Sequence, residues 1–219
     1  MNFDKVDSQY NGPLSPSEAA DGINAALANA RRLLDDALLL LANERWASAA
    51  ALAILAMEER AKEPILQEIA LVPKGEKTSH LWKLYRDHQY KNRGWIIPIL
   101  AGKDPSASME EHIQTIDDPG SLHRENLDRL KQACIYTDRL VGPKPYWDLP
   151  VQLAEAEARA LLLLAENFVG TPHVVTDTQI AEMKAIAENG GDREAVEQFL
   201  LRHGWWHGDY KLWKDQDVE

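Results

Sequence analysis

Residues 45–63 read RWASAAALAILAMEERAKE, and this stretch decides the fold. It is rich in Ala and Leu, which are strong helix formers. Apolar residues recur at helical spacing along almost the whole chain, and few segments alternate in the way that strands do. We therefore predict an all-α protein, built as a bundle of helices.

Caps and helix breakers mark out the helices on either side. Ser15, Pro16 and Glu18 make a capping box with proline at the first helical position, which predicts a helix from there to about residue 43. Pro64 predicts that the second helix kinks or ends near that residue. The further predicted helices cover about 78–93, 121–141, 148–170, 177–189 and 192–203.

The predicted organisation has three parts. Residues 1–14 are expected to be a flexible N-terminus, residues 15–141 the core helical bundle, and residues 142–219 additional C-terminal helices with a Trp-rich tail. The tail, GWWHGDYKLWK, carries too many tryptophans to remain in water, so we expect it to pack on the same bundle or on a second subunit. A homodimer is therefore the expected assembly.

Composition narrows the classes of function. The chain has no long apolar run for a membrane span and no apolar N-terminal stretch for a signal peptide, so we expect a soluble cytoplasmic protein. Its single cysteine, Cys134, rules out a disulfide framework and a cysteine zinc site. A net charge of -11 argues against DNA as a partner. The basic segment 74–93 is either a solvated helix face or a site for the phosphates of RNA, and the sequence leaves both interpretations open.

Ionisable residues stand where the apolar face of the second helix should continue. On a helical wheel, Glu58 and Lys62 fall at the centre of the apolar arc and Glu59 falls on its flank. Glu58 and Lys62 are four residues apart in the favourable order for an ion pair. A charge in a protein core costs several kcal/mol unless it is paired and hydrogen-bonded, so another group is expected to face this pair.

The next helices offer partners for that pair. His88 lies at the middle of the apolar stripe of the third predicted helix, and Lys91 lies at its edge. Tyr136 and Asp138 lie on opposite edges of the apolar arc of the fourth helix and are candidate supporting residues. The pattern predicts one polar cluster inside the bundle, and it leaves open whether that cluster is a functional site or a structural network.

Four segments together carry a resemblance to a known family. They are AALANARRLLDDALLLL (25–41), ALAILAMEERAK (51–62), HQYK (88–91) and KQACIYTD (131–138). In this order they resemble the AbiV family of bacterial abortive-infection proteins, over about residues 15–140. The resemblance implies a HEPN-like helical bundle and a role in phage defence, in which an infected cell halts its growth or protein synthesis. With such a role, a phage protein is a candidate activating partner.

Many HEPN proteins are ribonucleases that act as dimers. They typically carry an Arg, a polar residue, and a His four to six residues after the Arg. Arg86 and His88 are two residues apart, and Arg193 and His203 are ten apart, so neither pair has this spacing. From these two pairs we expect the chain to lack the spaced Arg and His of HEPN ribonucleases. This expectation argues against HEPN-type ribonuclease chemistry.

Two hypotheses of different classes follow. In the first, the protein is an effector that cleaves RNA without a metal: His88 is the base or acid, Lys91 and Lys62 hold phosphate, and Glu58 orients a partner. In the second, it is a non-enzymatic module that binds a phage protein or a translation component, and the same side chains are a buried network. An open groove at His88 would favour the enzyme, and full burial would favour the binding module.

A metal hydrolase is a third interpretation, with Glu58, Glu59 and His88 as ligands. Helical di-metal sites usually need two Glu-x-x-His pairs, and no Glu in this chain has a His three residues later. There is also no Gly-rich phosphate loop. The sequence therefore predicts neither a metal nor a cofactor.

Overall fold

The computed structural model describes residues 9–92, 111, 114–115, 123–140, 146–148, 153–191, 195, 198–199 and 202–203, with the backbone alone for 123–125, 138–140 and 146–148. This part is predominantly helical, which confirms the predicted all-α fold. Its helices are α1 (Pro16–Ala42), α2 (Trp46–Arg60), α3 (Lys62–Leu71), α4 (Ser79–Arg86), α5 (His88–Lys91), α6 (His123–Ile135), α7 (Glu155–Val169) and α8 (Asp177–Glu188). Two short strands, β1 (Asp138–Leu140) and β2 (Tyr146–Asp148), pair antiparallel.

The start of α1 is the capping box that the sequence predicts. The Glu18 N–H donates to Ser15 Oγ over 3.2 Å, and the Ser15 N–H donates to a Glu18 carboxylate oxygen over 2.9 Å. Together these bonds satisfy two backbone donors that a helix start would otherwise leave unpaired. The helix continues to Ala42, close to its predicted end.

The second and third predicted helices are each divided in two. The first break falls at Ala61, close to Pro64 as predicted, and Pro64 lies in the first turn of α3, where its missing N–H removes no bond within α3. The second break falls at Asp87, whose carboxylate accepts hydrogen bonds from the N–H groups of Gln89 and Tyr90 and so caps α5. After each break, the residues that point towards the core differ from those that one continuous helix would place there.

The core consists of two main apolar clusters joined along α1. One cluster is formed by the second half of α1 with α2, α6 and α7. The other is formed by the first half of α1 with α3, α4 and α8. Helices α7 and α8 therefore pack on the earlier helices, α7 against α1 and α2 and α8 against α1 and α3.

Residues 9–14, within the predicted flexible N-terminus, contact α4 and the residue before it. Trp82 Nε1 donates to the Gly12 carbonyl over 2.8 Å, and Thr78 Oγ1 donates to the Asn11 carbonyl over 2.8 Å. The Tyr10 ring meets the Trp82 ring edge to face at 5.8 Å. This segment therefore covers α4 directly before the break that leads to α5.

The region after α6 differs from the prediction. The sequence predicts helix up to residue 141 and again from residue 148, but α6 ends at Ile135 and α7 begins at Glu155. The hairpin of β1 and β2 lies between them, with Asp138 opposite Asp148. The pairing of Arg139 with Trp147 follows the preference of aromatic residues for strands, which the helical interpretation overlooked.

Other predictions fall partly or wholly outside the described residues. Of the helix predicted over 192–203, residues 195, 198–199 and 202 are helical. The Trp-rich tail lies outside the described part, so its docking stays a prediction. Among the helices that the structure describes, none is long and apolar enough to cross a lipid bilayer.

The side chain of Asn24 joins α1 to the segment before α8, and this gives a test of the packing. Asn24 donates to the Val175 carbonyl over 2.8 Å and accepts from the Val175 N–H over 2.9 Å. Val175 is buried, so Asn24→Ala leaves two backbone groups without partners. We expect a loss of about 1–3 kcal/mol in the free energy of unfolding, measured in urea. Asn167→Ala, at an exposed site of α7, is the control and should cost less; equal losses would contradict this role.

Candidate functional site

The site is centred on the carboxylate of Glu58, on the inward face of α2. Glu58 is 1% exposed, as the helical wheel predicts. Its Oε1 accepts from Lys131 Nζ over 2.6 Å, and its Oε2 lies 2.5 Å from His88 Nδ1. Because a carboxylate only accepts hydrogen bonds, the hydrogen between Glu58 and His88 lies on Nδ1. One buried acid thus connects α2 to α5 and α6.

His88 is more accessible than the sequence predicts. The wheel places it at the middle of an apolar stripe, but its side chain is 54% exposed. The break at Asp87 explains the error, because His88 starts the new helix α5 instead of continuing α4. Nδ1 is engaged by Glu58 on the protein side, which leaves Nε2 as the nitrogen that can exchange a proton with a bound molecule.

Lys131 is a member of the cluster that sequence reasoning missed. Its side chain is 5% exposed, and Nζ lies 2.9 Å from Asp128 Oδ1 and 3.4 Å from His88 Nδ1. Burial alone would lower the pKa of Lys131, but the hydrogen bonds to Glu58 and Asp128 outweigh burial and raise it. A signal was present, because Lys131 lies between the buried residues Leu127 and Cys134 at helical spacing.

Lys62 forms an ion pair with Glu59, so the predicted ion pair between Lys62 and Glu58 is wrong. Helix α3 restarts at Lys62, so the four-residue spacing from Glu58 does not run along one helix. Lys62 Nζ lies 2.5 Å from Glu59 and 5.0 Å from the centre of the Tyr85 ring. Burial alone would raise the pKa of Glu59, but hydrogen bonds from Lys62 and Asn29 lower it overall.

Lys91 is a buried cation near the cluster that has no ion-pair partner among the described residues. Its side chain is 5% exposed, although the sequence places it at the edge of the apolar stripe. Within the described part of the chain, no carboxylate lies at ion-pair distance from its ammonium group. Burial lowers the pKa of Lys91, and the attraction of Glu58 offsets this only in part.

Of the predicted supporting residues, Tyr136 lies apart from the cluster. Tyr136 is 60% exposed just beyond the end of α6, and the described contacts of the cluster do not include it. Asp138 begins β1, and its side chain lies outside the described part. Within the described residues, no three His, Cys, Asp or Glu side chains are grouped to hold a metal ion. Cys134 is buried, as expected of a core residue.

A second candidate lies near the end of the chain, and it corrects the expectation that the HEPN motif is missing. His207 follows Arg202 by five positions, with the polar His203 directly after the arginine. Arg202 Nη2 lies 2.6 Å from a carboxylate oxygen of Glu182, and His203 Nε2 lies 3.2 Å from the other oxygen. His207 lies outside the described residues. Checking every Arg against every His would have found this spacing.

The described residues form a helical bundle with one polar cluster between α2, α5 and α6. A family model described as AbiV matches residues 18–170, more than half of the chain, so the chain belongs to the AbiV family of HEPN proteins. Membership implies a role in abortive infection, a defence against phage. The match extends beyond residue 140 to include α7. Searches among curated proteins and among solved structures gave no significant match.

The burial of Lys91 predicts that this residue lowers stability. A lysine whose folded-state pKa lies below its unfolded value destabilises the fold at neutral pH, and the cost disappears once the pH exceeds the unfolded value. We expect Lys91→Met to increase the free energy of unfolding in urea at pH 7, and this gain to shrink as the pH rises above 10. Lys83→Met, at an exposed position of α4, should have little effect. A destabilised Lys91→Met protein at pH 7 would contradict the assignment.

Proposed function

We propose that the protein is an antiviral effector that cleaves RNA in phage-infected cells and thereby halts growth or translation. The observation that carries the proposal is the half-exposed imidazole of His88, held at Nδ1 by the buried carboxylate of Glu58. A buried acid that fixes one ring nitrogen and leaves the other accessible is the arrangement of a general base. The non-enzymatic alternative requires a fully buried network, which the exposure of His88 disfavours.

The proposed reaction is metal-independent transesterification. His88 Nε2 takes the proton of a 2′-hydroxyl, the 2′-oxygen bonds to phosphorus, and the bond from phosphorus to the 5′-oxygen breaks. The leaving 5′-oxygen takes up a proton from solvent water, so the products carry a 2′,3′-cyclic phosphate and a 5′-hydroxyl. Glu58 keeps the hydrogen on Nδ1 and stabilises the imidazolium that forms.

Lys91 is the proposed phosphate ligand. The charge of Lys131 is engaged by Glu58 and Asp128, and that of Lys62 by Glu59. Within the described cluster, the Lys91 ammonium remains for the anionic oxygens of a scissile phosphate. In this proposal Lys91 binds the phosphate, and Lys62, which pairs with Glu59, does not.

Two further observations support this class of function. The Arg202–His207 spacing matches the pattern of HEPN ribonucleases and supplies a second candidate centre for the same chemistry. Leu39 and Leu163 are large apolar residues exposed on α1 and α7. Covering them in a subunit interface would favour the homodimer expected from the sequence. A phage protein as activator and a cytoplasmic location belong to the same proposal.

The test is cleavage of RNA by the purified full-length protein, with EDTA present. We expect the wild type to leave 2′,3′-cyclic phosphate ends and His88→Ala to lower the rate by about 10²–10⁴-fold, the usual contribution of a general base. His207→Ala is the matched comparison and should retain most of the activity. Circular dichroism and thermal unfolding of each variant check that the fold is intact.

The two histidines separate the alternatives. Loss of cleavage in folded His207→Ala with full activity in His88→Ala would move the chemistry to the C-terminal motif and refute the role of His88. A wild type that cleaves no RNA, even with lysate of phage-infected cells added, would count against the ribonuclease and favour the binding module.

A further inference from the structure

We propose that one face of α4 is a recognition site for a short peptide of the sequence Tyr-Asn-Gly-Pro. Residues 10–13 of the chain have this sequence and occupy the site as a tethered ligand. A segment of the same chemistry in another protein would bind there in their place. None of the side chains proposed for RNA cleavage takes part in this site.

The recognition face consists of three donor side chains, those of Thr78, Trp82 and Arg86. They follow one another at intervals of four residues, so they lie along one side of α4 and its N-cap. Thr78 and Trp82 are buried, and the Arg86 guanidinium lies 5.6 Å from the centre of the Trp82 ring. These contacts orient the donors independently of the segment that they bind, which lowers the cost of binding.

Three successive backbone carbonyls of the tethered segment each accept a hydrogen bond from this face. The bonds are 2.7–2.8 Å long and run from Arg86 to Tyr10, from Thr78 to Asn11 and from Trp82 to Gly12. The side chain of Asn11 adds a fourth bond, because its Oδ1 accepts from Arg86 Nη1 over 2.8 Å. The face therefore binds the backbone of the segment and also selects one of its side chains.

The segment folds on itself, and this fold depends on its sequence. Tyr10 Oη donates to the Pro13 carbonyl over 2.8 Å, and the Tyr10 ring meets the Trp82 ring edge to face at 5.8 Å. A Cβ atom at Gly12 would lie 2.5 Å from Tyr10 Oη, so a side chain there would push the ring away from Trp82. The face therefore favours a tyrosine that is followed two positions later by glycine and then by proline.

The tethered segment can be exchanged, because side chains hold it to α4. Within the described part of the chain, the backbone of residues 9–13 forms no hydrogen bond with the backbone of another element. Tyr10 is 55% exposed, and the bond from Arg86 to its carbonyl lies at the protein surface. Such a segment opens at a lower free energy than the helices beneath it, and another peptide that offers the same groups can then bind.

The recognition face adjoins the candidate functional site along the chain. Helix α4 ends at Arg86, and α5 begins at His88 two residues later. Exchange of the tethered segment therefore changes the contacts of Arg86 directly before the break at Asp87. That the exchanging protein is the activating phage protein rests on the proposed function, whereas the recognition site itself does not.

The test is the binding of a fluorescein-labelled peptide of residues 9–15, QYNGPLS, to the full-length protein, followed by fluorescence anisotropy. In the wild type, a tethered segment competes at an effective concentration in the millimolar range, so little peptide should bind. The full-length double variant Tyr10→Ala, Gly12→Val weakens this competitor. We expect it to bind the peptide at least about tenfold more tightly than the wild type does.

The contacts provide matched controls in the double variant. Adding Arg86→Gln removes the guanidinium donors and should weaken peptide binding by about tenfold or more. Adding Lys83→Met, at an exposed position of α4, should leave binding unchanged. A peptide that carries Gly12→Ala should bind at least about fivefold more weakly, because its tyrosine ring can no longer pack against Trp82.

Three outcomes would overturn the proposal. They are no binding to the double variant at millimolar peptide, equal binding to the double variant and the wild type, and binding that Arg86→Gln leaves unchanged. Circular dichroism checks the fold of each variant. If the double variant does not fold, Tyr10→Ala alone takes its place, and the same order of affinities is required.

The peptide measurement needs no RNA, so it separates this inference from the proposed function. If the peptide binds as expected but the protein cleaves no RNA, with or without the peptide, the recognition site stands and the ribonuclease fails. If the protein cleaves RNA but the double variant does not bind the peptide, the ribonuclease stands and the recognition site fails.

Discussion

The structure depends on one buried charge, the carboxylate of Glu58. A carboxylate that is 1% exposed would cost several kcal/mol unless both oxygens were hydrogen-bonded. Its partners come from α5 and α6, which lie far from α2 along the sequence. The bonds to this group therefore tie both helices to α2, beside the apolar cluster that α2 forms with α1, α6 and α7.

The charges of the cluster fall into two kinds with different consequences. Lys131 and Lys62 are each matched by carboxylates, so they hold helices together. Lys91 is buried without such a match among the described residues, so its charge lowers stability. A buried charge that lowers stability is more typical of functional sites than of structural ones.

The sequence predicted the features that depend on unbroken periodicity. The long α1, the bundle class and the burial of Glu58 follow from apolar residues at helical spacing and a strong cap. The helical wheel failed beyond Ala61 and Asp87, because a break rotates every later residue away from its extrapolated position. Pro64 cannot donate to the carbonyl of Arg60, four residues earlier, and its ring crowds that carbonyl, which favours the break at Ala61. Lys62 and His88 were misplaced for this reason.

The position of Cys134 gives the bundle a built-in reporter. It is the single cysteine of the chain, it packs against Ala50 and Ala51 of α2, and it lies one turn from Lys131 on α6. Burial raises the pKa of its thiol, so a thiol reagent can react with it at an appreciable rate only when α6 separates from α2. The rate of alkylation of Cys134 in the native protein therefore measures how often α6 separates from α2 beside the candidate site.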